Sequence, residues 1–150
     1  MITKRTLVLT LLVLVTFSTA TRPRTAKADP GCTVQSLSGP YTYAITGEYF
    51  DPRGNLYHFS AAGRIVADGA GSIDGKDTTS DGGFITRGRQ YTASYRVNSD
   101  CTGTMVFQPG ANMDMVITNN GKNINFIQTD QSTNIAGTAQ QQFPADPVKP

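Results

Sequence analysis

The chain has 150 residues, with 13 basic and 11 acidic side chains, a formal net charge of +2, one histidine and two cysteines. No strongly basic surface is available for a phosphate backbone, so nucleic acid is not an expected partner. A single histidine argues against a catalytic zinc site, which takes two or three histidine ligands, and no metal or other cofactor is expected.

In chain order, Lys4 and Arg5 precede an apolar run over residues 7–17, broken only by Thr10 and Thr16. Small-residue sites follow at Ser18-Thr19-Ala20 and Ala26-Lys27-Ala28. This order predicts a secretory signal peptide over residues 1–28, with cleavage after Ala20 as the alternative. The run is too short for a permanent anchor, so no membrane span is expected. The mature protein is expected to be secreted or periplasmic. The leader holds five of the 13 basic residues, so cleavage after Ala28 leaves eight against 11 acidic ones, a net of −3. Cleavage after Ala20 leaves 11 against 11.

Beyond the leader, short alternating stretches are separated by clusters of Gly, Asp, Asn and Pro, which predicts strands and tight turns. The expected strands are 41–50, 56–67, 72–76, 84–97, 103–108, 112–118, 123–130 and 134–142. Asn120-Gly121 is a strong hairpin signal, because it accepts the positive φ of a type I′ turn. Segment 33–37 fits either one helical turn or an extra strand. The tail 143–150, with three prolines, is expected to be disordered, which leaves 29–142 as the domain.

Eight strands with short connections predict an all-β, eight-stranded antiparallel up-and-down barrel, since closure removes the two edges of an open sheet. The turns at 68–71, 98–101 and 119–122 then share one end. Connections 51–55, 77–83 and 108–111 share the other, where a mouth would open. Cys32 enters at the tight-turn end and can reach Cys101, so the even cysteine count of an exported chain predicts a Cys32–Cys101 disulfide, with two free buried thiols as the alternative.

Several segments resemble a family of small exported bacterial proteins that look like calycins and plant allene oxide cyclases. They are Cys32 with Leu37-Ser38-Gly39-Pro40-Tyr41, then Ala61-Ala62-Gly63-Arg64-Ile65 with Asp68-Gly69-Ala70-Gly71. Tyr95-Arg96-Val97-Asn98-Ser99-Asp100-Cys101-Thr102-Gly103-Thr104 follows, and then Asn120-Gly121-Lys122 with Phe126-Ile127-Gln128-Thr129-Asp130. The resemblance spans residues 32–140 and implies an eight-stranded barrel. It carries no catalytic residue over to this chain, and the catalytic assignment stays unknown.

The residues that invite a function are the tyrosines. Tyr41, Tyr43, Tyr49, Tyr57, Tyr91 and Tyr95 all fall in the apolar phase of their strands, beside the small residues Gly47, Ala61, Gly63 and Ala93. Met113, Met115, Ile117, Ile124 and Phe126 extend the same surface. An eight-stranded barrel is either filled by its own side chains or holds one small ligand. The candidate ligand-binding set is Tyr43, Tyr49, Tyr57, Arg89, Tyr91 and Tyr95, joined by Met113, Met115 and Phe126. Arg89 shares the inward phase. It is a candidate anchor for the carboxylate of an acidic lipid or a polyketide-like ligand, or else a side chain snorkelling to the rim. Glu48, Arg64, Arg96 and Asp114 fall out of phase, which predicts solvent or, in a homo-oligomer, a subunit interface. A bulge would swap such assignments. His58 is expected to be exposed near the mouth. Asp68, Asp74, Asp77 and Asp81 lack the spacing of a helix-loop-helix calcium site and read as turn residues. Binding of a small apolar ligand without turnover is the expected function. A cyclase or isomerase and an envelope-associated interaction module are the alternatives.

Overall fold

The computed structural model describes residues 31–142, so the expected leader and tail lie outside it. A 3-10 turn, Val34–Ser36, leads into β1 (Ser38–Phe50), β2 (Leu56–Asp68), β3 (Ser72–Asp81) and β4 (Phe84–Val97). The chain continues through β5 (Thr102–Gln108), β6 (Ala111–Thr118), β7 (Asn123–Gln128) and β8 (Thr133–Gln141). Each strand pairs antiparallel with the next, and β8 returns to β1 to close the barrel. Alternate residues are buried along every strand up to the rim, the period-two pattern that the pleat imposes. Segment 33–37 is therefore resolved as a helical turn.

One end is sealed. Leu37 is fully buried beneath the 3-10 turn and plugs the barrel. The Tyr95 hydroxyl donates to the Leu37 carbonyl at 2.8 Å, and Tyr41 donates to the Gly121 carbonyl at 2.7 Å. The Cys32–Cys101 disulfide ties the incoming chain to the β4–β5 turn. Gly121 adopts φ +85°, and a Cβ there would run into the Ser36 carbonyl, so this turn and the plug fit only with glycine.

The other end is uneven. β1 and β2 have 13 residues each and β4 has 14, whereas β5 has seven. The β4–β5 ladder begins at Thr92–Gln108, so β4 residues 84–91 stand above the end of β5 and leave a notch in the wall. The third strand runs to Asp81 instead of ending at residue 76, and the expected 77–83 loop shrinks to a turn around Gly82 and Gly83. Its inward residues there are Asp77, Thr79 and Asp81, whose polarity hid the alternation. Between Asp77 and Thr78 the β3–β4 register shifts. Gly88 takes φ +67° at this irregularity, and Arg89 is thereby set opposite Asp77. His58 is exposed at this end and lies 3.2 Å from Glu48.

Candidate functional site

The lumen between the plug and the notch holds a cavity of about 130 Å³. Its deep wall is apolar and includes Ile65, Met105, Ile124 and Phe126, while Gln108 and Pro109 border it at the β5–β6 turn. The cavity thus lies beneath the low part of the wall.

A polar pole stands on the mouth side. Asp77 is the one buried charged residue among the described residues. Its Oδ1 accepts from Arg89 Nε at 3.0 Å, and its Oδ2 accepts from Arg89 Nη2 at 2.7 Å and from the Tyr43 hydroxyl at 2.6 Å. Glycines make this arrangement fit. A Cβ at Gly63, directly across from Asp77 on β2, would lie 2.6 Å from the Asp77 Cβ. Gly75 likewise leaves room for the Tyr91 ring on β4, whose hydroxyl oxygen would lie 2.6 Å from a Cβ at residue 75. The Arg89 guanidinium carbon sits 5.5 Å from the centre of that ring.

The hydroxyl of Tyr91 is buried and makes no hydrogen bond to the protein within 3.5 Å, although the Tyr43 hydroxyl lies close enough to couple with it. Its neighbour Tyr43 has already committed its proton to Asp77. Burial holds the Tyr91 pKa up at about 12. Burial, and then donation to Asp77, push Tyr43 up as well. The bond to Asp77 raises Arg89 against the opposing effect of burial. At neutral pH the pole is therefore two protonated phenols and a neutralised ion pair. Arg89, whose side chain reaches the rim and is 47% exposed, has five N–H donors and spends two on Asp77, so three remain. The one carboxylate of the pole already accepts three hydrogen bonds.

The nine candidate ligand-binding residues divide among three places. Tyr43, Arg89, Tyr91, Met113 and Phe126 line the cavity. At the rim, Tyr49 and Tyr57 stack with ring centres 5.4 Å apart. Tyr49 also donates to Asp81 at 2.7 Å, which holds its pKa at about 12. At the sealed end, Tyr95 is a plug residue, and buried Met115 packs beside Gly103. The small residues also part company. Ala61 borders the cavity, but the space beside Gly47 is filled by the β8 backbone and that beside Gly63 by Asp77. Asp77 belongs to the pole and Gln108 borders the cavity, although neither was among the candidate residues read from the sequence. Arg64, Arg96 and Asp114 are exposed on the outer face and Glu48 is half-buried there.

The four aspartates of the 68–81 stretch serve separate tasks. Asp68 accepts from three backbone N–H groups of its own turn, and Asp74 faces outward. Asp77 and Asp81 take the partners already described. No group of three or more His, Cys, Asp or Glu side chains is poised to hold a metal among the described residues, and none of their helices is long and apolar enough to cross a membrane.

No protein-family model and no curated protein matches the chain. Similar solved structures include a de novo designed fluorescence-activating β-barrel, at 12% identity and a TM-score of 0.45, covering 73% of this chain and 96% of that one. Another is a redesigned β-barrel, mFAP1, bound to DFHBI, at 13% identity and a TM-score of 0.44, covering 73% of this chain and 98% of that one. At this level of likeness neither bears on what the lumen here holds.

Proposed function

We propose that this chain is an exported barrel that holds one small, mainly apolar ligand in its lumen without transforming it. The observation that carries the reading is the cavity itself: apolar and deep, capped by convergent polar groups, and placed under a notch in the wall, the composition usual for a small-molecule site. Binding is favoured over cyclisation or isomerisation because the lumen carboxylate of Asp77 is paired with Arg89 and already accepts from Tyr43. A phenol with a pKa near 12 also makes a poor base at neutral pH. The disulfide supports an oxidising compartment, secreted or periplasmic, in keeping with the expected leader. Membership of a calycin-like or allene-oxide-cyclase-like family rests on the resemblance of sequence segments.

Native mass spectrometry of the mature protein purified from its own host tests this reading. The expected spectrum shows a small molecule carried at one per chain and released on denaturation. A bare chain that also fails to take up an apolar probe saturably would overturn it.

A further inference from the structure

Resting on the lumen as a ligand site, its polar pole also fixes what chemistry the ligand carries. We propose that the lumen selects an uncharged molecule of single-ring size bearing a hydrogen-bond acceptor, of the aryl ketone or ester class, with the acceptor held at Tyr91 and Arg89.

Size follows from volume. The cavity measures about 130 Å³, and a dry apolar cavity of about 150 Å³ holds benzene. One ring therefore fills the deep end against Met105, Ile124 and Phe126, and a substituent projects toward the notch.

The polarity of that substituent follows from the count of donors. Tyr91 presents a hydroxyl that makes no hydrogen bond to the protein, and Arg89 has three N–H groups beyond those bound to Asp77. Every one can donate, whereas Asp77 already accepts three hydrogen bonds, close to the roughly four that a carboxylate takes. A ligand carbonyl at this point satisfies the buried Tyr91 hydroxyl, whereas an apolar group leaves it unpaired and gives up affinity.

Absence of charge follows from the ion pair. Arg89 forms a bidentate bond to Asp77, which cancels the positive charge that a carboxylate would need. The expected anchoring of an acidic group by Arg89 therefore gives way to recognition of a neutral acceptor, because an anion would shed its water for a site with no net positive charge.

Acetophenone and α-methylstyrene test the inference, since they share shape and differ in C=O against C=CH2. Each is titrated into protein labelled at the methionine methyls, with benzoate as the charged comparison. Acetophenone is expected to bind at least tenfold more tightly than α-methylstyrene, and benzoate more weakly than acetophenone. In Tyr91→Phe, which removes one oxygen, the preference should fall toward unity, while Arg96→Ala on the outer face should retain it. Equal binding of the two neutral probes would overturn the acceptor assignment and leave the lumen site standing, as would a preference that survives in Tyr91→Phe. Tighter binding of benzoate would overturn the neutrality. Failure of all three to shift the lumen methyls would overturn both this inference and the binding function beneath it.

Discussion

Tyr91 on β4 lies across Gly75 on β3, its ring occupying the volume that any side chain at residue 75 would need. This single pairing sets a phenol in the lumen wall, where Tyr91 lines the cavity and its hydroxyl is buried. Gly75→Ala should displace the ring and destabilise the barrel by about 1–3 kcal/mol, the usual cost of overpacking. In a Tyr91→Ala background the same change should cost little, because alanine otherwise suits a strand better than glycine. A double-mutant cycle in urea measures the coupling, and additive effects would contradict the packing described.

Removing only the Tyr91 oxygen should have the opposite sign. A buried polar group without a partner costs about 1–3 kcal/mol. Tyr91→Phe is therefore expected to raise stability in the absence of ligand, by roughly 1 kcal/mol on that basis. A lowered urea midpoint would mean that the hydroxyl has a partner in the free protein.

The barrel was more legible in the sequence than the site. Strand count, closure, the Asn120-Gly121 turn and the cysteine pairing could all be read, because each rests on local alternation or on which turns share an end. The polar pole could not. Mirror pairing about the Gly82-Gly83 turn sets Asp77 opposite Gly88, and the register shift moves Arg89 into that place. Small residues misled for a related reason. Gly63 and Gly75 mark positions where a cross-strand neighbour needs room, and only the neighbour's identity shows whether the space stays open. At the rim, the inward residues Asp77, Thr79 and Asp81 pair with polar partners, so the hydrophobic pattern stops before the strand does.

The tyrosines make the barrel alkali-sensitive in a defined window. Tyr91 titrates at about 12 in the folded protein and at about 10 when unfolded. Between these values the unfolded chain has lost a proton that the folded one keeps. Stability is thus complete below pH ~10 and falls by about 1.4 kcal/mol per pH unit for each such group as pH rises. Tyr43, also raised, adds to the slope. Urea midpoints from pH 9 to 12 should fall less steeply in Tyr43→Phe and Tyr91→Phe. An unchanged slope in both variants would contradict the burial of these hydroxyls.

At the sealed end, Gly121→Val combines an unfavourable φ with a clash against the Ser36 carbonyl. It should cost roughly 2 kcal/mol, within the range for a residue forced into the left-handed region. An unchanged melting temperature would contradict the docking of the plug on this turn.

The central claim, that a small molecule enters the lumen, is tested most directly by the methionine methyls. Met105 and Met113 line the cavity, whereas Met115 is buried against Gly103 outside it. Titrating α-methylstyrene or acetophenone into methionine-methyl-labelled protein should shift Met105 and Met113 saturably at one ligand per chain, with Met115 moving least. Resonances that all stay in place to the solubility limit of both probes, or that drift together without saturation, would show a lumen closed to ligand.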